Sequence, residues 1–476
     1  MQIAPTLNAP VPARLVIDSD LIRKYGGSGP RYTSYPTADQ FVEAFDAEAY
    51  RQWLRNRNIG GFARPLGLYV HLPFCGTICY YCACNKIVTK DHGRSAKYLK
   101  YLQREIRMLA ECLGKDRAIG QMHWGGGTPT YYEADQLARV FDRVRRHFTF
   151  TPDVELGIEI DPRVTSATHL QRLRGLGFNR LSMGVQDFAP EVQKAINREQ
   201  SYELTRDLVE EARACGFVSV NVDLIYGLPF QTVEGFRRTL EQTLTLRPDR
   251  VAAYSFAFIP WMRAHMKYLP NDALPSARLK LELLALTIDA FVDAGYRQIG
   301  MDHFALPSDD LGSAVDRGDL HRNFMGYTVQ KTPDMVAVGV SGIGDVHGAF
   351  VQNTKKLPDY YKAVGAGRFA IERGYQMSAD DLVRRHVISA LMCGFRIDVP
   401  EIERAFGIDF SAYFAEEIAE LTAADSPATD GLVTVSPSAI DITPLGRLFV
   451  RNVCMVFDRY LRARTQGPKP VFSRTV

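Results

Sequence analysis

The sequence predicts an α/β protein built around a parallel, barrel-like sheet, and three observations carry that expectation. Strand-like apolar runs alternate with helical patterns from about residue 66 to 306. The runs are near-continuously apolar, as suits parallel strands covered on their outer face by helices. Six or seven such units fit a barrel or an incomplete barrel better than a two-unit nucleotide-binding half.

The expected strands are Leu66–Phe74, Ile119–Trp124, Val154–Ile160, Arg180–Val185, Val218–Ile225, Val251–Phe258 and Gln298–Phe304. In the first intervening helix Leu99, Leu102, Ile106, Leu109 and Leu113 share one face, and a later helix starts near Ser276 with Leu279, Leu283, Leu286 and Phe291. Polar or Gly-rich residues follow the strands, where α/β folds place active sites: the cysteine loop, Gly125-Gly-Gly-Thr-Pro129, Glu159 and Asp161, Gln186, and Asp223 within strand five. Ahead of the barrel, residues 1–48 have little periodicity and contain Arg31-Tyr-Thr-Ser-Tyr-Pro36 in a loop-like stretch. Lacking the period of a core element, this arm is not expected to be buried. Residues 378–476 read as short helices, then Gly431–Val435 and a final helix Thr443–Leu461, a small winged-helix-like domain.

The 476 residues exceed one ordinary core, and 46% hydrophobic with 23% charged residues is a globular balance. A net charge of +3 is too small to argue for nucleic acid but suits an acidic substrate. No apolar run is long enough for a membrane span and no signal-peptide core opens the chain, so a cytoplasmic protein is expected. Cys112, Cys215, Cys393 and Cys454 stand alone and read as reduced core residues.

Cys75, Cys79 and Cys82 follow a C-x3-C-x2-C pattern, with Cys84 two residues on. Three thiolates on one short loop suit three irons of a cubane and leave the fourth without a cysteine. An open metal position is what a reactive site needs. The alternative is structural zinc, but zinc ribbons set two Cys pairs well apart, and here no second Cys/His cluster is present.

The loop resembles the signature of the radical S-adenosylmethionine enzymes. With Tyr69-Val-His-Leu-Pro-Phe-Cys75, His123-Trp-Gly-Gly-Gly-Thr-Pro129, Arg180-Leu-Ser-Met-Gly-Val-Gln-Asp187, Gly300-Met-Asp-His303 and Leu320-His-Arg-Asn-Phe324, nearly the whole chain resembles the oxygen-independent coproporphyrinogen III oxidase family. The resemblance implies a partial (β/α)6 barrel like that of triosephosphate isomerase, an N-terminal arm over the active site (1–48), a barrel domain (49–354) and a mainly helical C-terminal domain (355–476). It implies decarboxylation of the ring A and B propionates of coproporphyrinogen III to vinyl groups by a 5′-deoxyadenosyl radical, giving protoporphyrinogen IX. A 4Fe–4S cluster, two S-adenosylmethionine molecules, a donor such as flavodoxin or ferredoxin, and a monomer with neither nucleic-acid nor membrane partners complete that implication. The alternative within the superfamily is a heme chaperone that keeps the cluster without decarboxylating. Such chaperones have Phe where this chain has Cys84, and lack the arm.

By the same resemblance Cys75, Cys79 and Cys82 ligate the cluster and Cys84 does not. Tyr69, Gly126, Glu159 and Ile343 would meet the first S-adenosylmethionine. Tyr81, Gly127, Thr128, Gln186, Arg198, Asp223 and Ala257 would meet the second. Read from sequence, Arg198 lies on a helix, where a solvated arginine is the default. Glu159 could equally be a strand-end ion pair. Tyr69 and His71 beside the cysteine loop are the candidate catalytic residues, while His303 reads as a hydrogen-bonded internal histidine. Arg31 and Arg322, in Gly-rich loops, are the candidates for binding propionates. One departure stands out: Phe258 replaces a histidine usual in the family, so a polar role there is lost.

Overall fold

The computed structural model describes residues 19–57, 64–330, 332–463 and 472–475. Six strands form the parallel heart of one sheet: β1 (Leu66–Leu72), β2 (Ala118–Gly126), β3 (Thr149–Ile160), β4 (Arg180–Gln186), β5 (Ser219–Tyr226) and β6 (Arg250–Ser255). They lie in that spatial order, each parallel to the next, as the expected six-unit partial barrel requires. The intervening helices cover the outside. Helix His92–Leu113 buries Leu99, Leu102, Ile106, Leu109 and Leu113, and helix Ala277–Asp293 is capped by Ser276, whose side chain accepts from Leu279 N.

The expected seventh barrel strand is not one strand. Residues 297–305 fold back as β7 (Arg297–Ile299) and β8 (His303–Ala305), with β8 antiparallel to both β7 and β6. Gly300 makes the reversal at φ +55, where a side chain would collide with Tyr327. On the other flank β9 (Asp334–Val338) runs parallel to β1, followed by antiparallel β10 (Ile343–Val346), β11 (Ala349–Asn353) and β12 (Ile371–Gln376). The twelve-stranded sheet is therefore open, with β12 and β7 at its edges. It runs to Gln376, past residue 354 where the sequence reading ends the barrel domain.

The strands are also less uniformly apolar than expected. Gln121 and His123, Glu155 and Glu159, Arg180 and Ser182, Asn221 and Asp223, and Arg250 and Tyr254 line a cavity of about 130 Å³ inside the barrel. Their alternates, such as Met122, Leu156, Met183 and Val222, are buried in the hydrophobic core. This is the period-two division of a barrel strand. An ion network occupies one end of the cavity: Arg180 lies 2.8 Å from Glu155 and 3.3 Å from Asp309, and Arg250 lies 2.7 Å from Asp309.

C-terminal helices Ala379–Gly394, Val399–Phe406 and Ala415–Thr422 precede or flank a three-stranded antiparallel sheet of Arg396–Asp398, Ala439–Ile442 and Val433–Val435. The expected final helix is broken into a 3-10 turn at Gly446–Phe449 and helices Val450–Val456 and Arg459–Arg462. Asp458 enforces the break, because its carboxylate accepts from Tyr460 N and Leu461 N and starts a new helix.

The arm contradicts the expectation that it is unburied. Tyr25, Tyr32 and Tyr35 are 8%, 5% and 2% exposed and belong to the main core. Tyr32 donates to Asp458 at 3.0 Å, Arg451 Nε to the Pro30 carbonyl at 2.9 Å, and Asn452 to the Tyr25 carbonyl at 2.9 Å. Aromatic residues at irregular spacing have no period to betray them, yet each fills a slot against the C-terminal domain. Residues 1–18 of the arm lie outside the described residues. No helix among the described residues is long and apolar enough to cross a membrane.

Candidate active site

Tyr69 and His71 sit two residues apart on β1, so they share a face of the strand. Tyr69 Oη is 3.1 Å from His71 Nδ1, and His71 Nε2 is 2.9 Å from the Asn85 carbonyl. A carbonyl only accepts, so Nε2 carries the hydrogen and Nδ1 accepts from Tyr69. Burial lowers the His71 pKa, against the opposing pull of the Asn85 carbonyl, and this favours the neutral ring.

β1 runs directly into the cysteine loop. Cys75 and Cys79 are buried, Cys82 half-buried and Cys84 exposed, all as free thiols. The loop is anchored on both sides: Tyr80 N donates to the Ile196 carbonyl at 3.0 Å, Asn197 to the Ile78 carbonyl at 2.7 Å, Lys86 to the Cys82 carbonyl at 3.0 Å and Arg263 to the Ala83 carbonyl at 2.7 Å. Donors also face the sulfurs. Thr128 Oγ1 lies 3.3 Å from Cys75 Sγ, and Arg163 and Arg198 lie 3.6 and 3.8 Å from Cys79 Sγ. Hydrogen bonds and positive charge at sulfur suit thiolate ligands of an iron–sulfur cluster, so the residues present fit that group. Among the described residues no three His, Cys, Asp or Glu side chains are gathered to hold a single metal ion. A cubane asks for something different, since its three thiolates bind three different irons.

β2 ends in Gly125 and Gly126, with Gly127 next, and the backbone is crowded there. A Cβ on Gly125 would stand 2.6 Å from Glu159 Oε1, and one on Gly127 2.5 Å from the Pro73 carbonyl oxygen. Gly126 has φ +116, and a side chain there would strike the His71 ring. Gly126 N donates to Glu159 Oε2 at 3.1 Å, while His123 Nε2 is 3.3 Å from Oε1. Burial favours neutral Glu159, but His123 and the Gly126 amide prevail and hold the carboxyl below its ordinary range. Tyr69 stacks beside His123, with ring centroids 6.3 Å apart at 11°. Tyr69, His71, Gly126 and Glu159 are thus brought together. Ile343 opens β10, two residues after Ser341, whose hydroxyl is 3.5 Å from His71 Nε2, and it also packs against Phe41, Phe350 and Met377.

A second group surrounds Cys79. Arg198 is only 5% exposed, and it sits in the loop between helices Pro190–Ala195 and Tyr202–Ala214, which corrects the helical, solvated reading. Its guanidinium donates to Asp161 at 3.1 Å and to the Gly184 carbonyl at 2.6 Å, while its buried Nε has no partner among the described residues. Arg163 shares Asp161 at 2.7 Å. Burial opposes the charge on Asp161, but Arg198 and Arg163 together lower its pKa. Gln186 at φ +72 ends β4 beside this group, and a side chain on Gly184 would collide with it. A non-glycine residue in that left-handed region is uncommon and often marks a functional strand end. Tyr81 is within electrostatic reach of Arg198. Sequence reasoning missed the roles of Asp161 and Arg163, although Asp-Pro-Arg directly after β3 was the available signal.

Asp223 faces the cavity with Ser182, Asn221, Tyr254 and His303. Burial and the charge of Glu159 push its pKa up to about 6, against the Asn221 hydrogen bond of 2.7 Å. His303 bonds Asp302 at 2.7 Å, as an internal histidine should, and also lines the cavity. Ala257 follows the end of β6, and Phe258 next to it packs in a separate apolar cluster with Tyr81 and Ile259. Arg322 donates to the carbonyls of Arg31 and Tyr32, each at 3.0 Å, and stacks its guanidinium 5.0 Å above Tyr327. Arg31 reaches the Ser255 carbonyl at the end of β6. Arg322 therefore holds the arm, and Arg31 stands at the barrel mouth.

Residues 69–243 match the model of the radical SAM superfamily, and residues 377–449 that of the HemN C-terminal domain. The chain is 48% identical over 446 residues to the oxygen-independent coproporphyrinogen III oxidase of Pseudomonas aeruginosa, covering 93% of this chain and 96% of that one. It is 47% identical over 460 residues to the enzyme of the same name from Salmonella typhimurium, with coverage of 96% and 98%. Among solved structures, the coproporphyrinogen III oxidase of Escherichia coli, described as a radical SAM enzyme, matches with a TM-score of 0.86 at 45% identity, over 93% of this chain and 99% of that one.

Proposed function

Since this chain belongs to the oxygen-independent coproporphyrinogen III oxidase family, we propose that it decarboxylates the ring A and B propionates of coproporphyrinogen III to vinyl groups. The near-full-length likeness carries this reading, and it favours the oxidase over the heme chaperone. As a radical SAM enzyme the protein uses a 4Fe–4S cluster and S-adenosylmethionine. When bound, these supply the hydrogen-atom abstraction that no side-chain base could achieve at an unactivated propionate C–H bond. Each propionate loses one hydrogen atom, then CO2, and one electron passes to an acceptor.

The protein's own part is to hold and to exclude. Cys75, Cys79 and Cys82 would bind the cluster. Glu159, with both oxygens already oriented by His123 and Gly126 N, would accept from ribose hydroxyls. Tyr69 and neutral His71 form a donor–acceptor pair beside the cluster loop. The reading of a second S-adenosylmethionine is supported by Arg198, whose buried Nε has no partner among the described residues and suits a carboxylate, and by Tyr81, Gln186 and Asp223 nearby. Gly127, Thr128 and Ala257 would complete that site through backbone or hydroxyl contacts. The arm, seated against the C-terminal domain, would keep water from the reacting carbon. We place the boundary between barrel and C-terminal domain after Gln376. A cytoplasmic monomer reduced by a flavodoxin or ferredoxin completes the reading.

The test is product analysis under strict anaerobiosis, with reconstituted protein, S-adenosylmethionine and a reductant. A divinyl product with two CO2 released per tetrapyrrole is expected. Unchanged coproporphyrinogen alongside intact, cofactor-cleaving protein would overturn the reading.

A further inference from the structure

We propose that Lys280, Arg31 and Arg451 form a carboxylate-binding subsite at the barrel mouth that takes one propionate of the tetrapyrrole substrate. The inference rests on the function proposed above and adds Lys280 and Arg451 to the site. The three cations, with Tyr226, Ser255 and Asp302, line a cavity of about 20 Å³ between the ends of β5 and β6 and the C-terminal domain, enough for one water-sized group such as a carboxylate oxygen. Lys280 also donates to the Phe256 carbonyl at 3.3 Å, one residue before Ala257.

The cations are short of anions. None of the three makes an ion pair with an Asp or Glu among the described residues. Among the described residues Lys280 Nζ has three donor hydrogens and that single acceptor, and Arg31 uses one nitrogen, on the Ser255 carbonyl. Arg451 is 5% exposed, and its side chain donates to the carbonyls of Gly29, Pro30, Arg474 and Thr475. Asp302 is the acid lining the cavity; it is bonded to His303 at 2.7 Å, and its charge reaches Arg31 and Arg451 without an ion pair to either, so one carboxylate faces three cations.

Tying down the arm does not require this charge. Neutral groups already do such work here, since Asn452 and Thr475 both donate to the Tyr25 carbonyl. Gathering like charges out of water is costly unless an anion joins them. The cost shows in Lys280, which burial and the neighbouring Arg31, Arg451 and Arg474 pull down to about 8. A substrate carrying four carboxylates supplies the missing charge, and the donors left open on Lys280 and Arg31 are the ones a carboxylate would accept from.

The test is anaerobic equilibrium binding of coproporphyrinogen III and, separately, of S-adenosylmethionine to the cluster-loaded protein and its Lys280→Met and Lys280→Arg variants. Loss of a charge-assisted hydrogen bond should weaken tetrapyrrole binding about tenfold or more in Lys280→Met. Lys280→Arg should recover most of it, with iron content and S-adenosylmethionine affinity unchanged throughout. Unchanged tetrapyrrole affinity in Lys280→Met would overturn the proposal. So would weakened S-adenosylmethionine binding with normal tetrapyrrole binding, which would assign the cations to the cofactor's carboxylate. If Lys280→Met does not hold iron, Lys280→Gln, which keeps a donor for the Phe256 carbonyl, gives the same comparison. Wild-type protein that binds the tetrapyrrole in this Lys280-dependent way but releases no vinyl product would refute the proposed function while supporting the subsite.

Discussion

Replacing Arg198 by Met separates a structural role from a cofactor-binding one. Three contacts are lost: Asp161 at 3.1 Å, the Gly184 carbonyl at 2.6 Å and the Cys79 sulfur at 3.8 Å. Stranding a buried charge costs about 3–5 kcal/mol, but Asp161 would not be stranded. Arg163 still binds both of its oxygens, at 3.0 and 2.7 Å, so the cost to the fold should be nearer that of ordinary hydrogen bonds, about 1–2 kcal/mol. The loss at the second S-adenosylmethionine should be larger in effect. A hydrogen bond to a charged group contributes about 1.5–3 kcal/mol, which is roughly ten- to hundredfold in affinity. Equilibrium dialysis of the reconstituted protein should therefore find two S-adenosylmethionine molecules per wild-type chain. At a concentration that just saturates wild type, it should find one per Arg198→Met chain, with iron content unchanged. A wild-type stoichiometry of one, or two sites of normal affinity in the variant, would refute the assignment.

Serine in place of Cys75, Cys79 or Cys82 should abolish iron binding and its visible absorbance, whereas Cys84→Ser should retain both; equal losses in Cys84→Ser would move the ligand set. Because the Asp223 carboxyl is raised to about 6, it is neutral in acid and gains its charge only as pH rises through that value. Affinity for the second S-adenosylmethionine should accordingly climb between about pH 5 and 7 and lose that slope in Asp223→Asn, as binding isotherms across that range would show. Tyr35, at 2% exposure and 5.9 Å from the Tyr460 ring, should cost about 3 kcal/mol when changed to Ala. Denaturant midpoints would register that loss, and midpoints equal to wild type would restore the view of the arm as a cover alone.

What the sequence revealed and what it hid divide by distance along the chain. The cysteine loop spans ten positions, and β1 to β6 each announce themselves within a few residues, so local spacing was enough. The lumen was legible too, since Ser182, Asn221 and Asp223 break the apolar runs at every second position, but read as continuous runs they lost that meaning. Arg198 shows the limit. Nothing near it in sequence says that it is buried, because its partners Asp161 and Cys79 lie 37 and 119 positions away. The reversal at Gly300 is crowded by Tyr327, whose hydroxyl accepts from Met301 N, and the break in the last helix comes from Asp458, which also takes the Tyr32 hydroxyl.

The arm's partners are equally distant in sequence, and they tie it to the chemistry. Arg451 meets the Pro30 carbonyl across 421 positions, so the N-terminal arm and the C-terminal domain are fastened together beside the end of β6. Burial and covering are then one property. Tyr32 and Tyr35 fill the core on one side, while the backbone between Gly29 and Tyr32 holds Arg31 above the end of β6 on the other. A cover that belongs to the core is fixed at low entropic cost when substrate arrives, and it can position a charge as well as exclude water. A loosely attached arm could exclude water only while closed. An arm whose Tyr25, Tyr32 and Tyr35 fill the core instead makes a folded protein and a covered site the same condition.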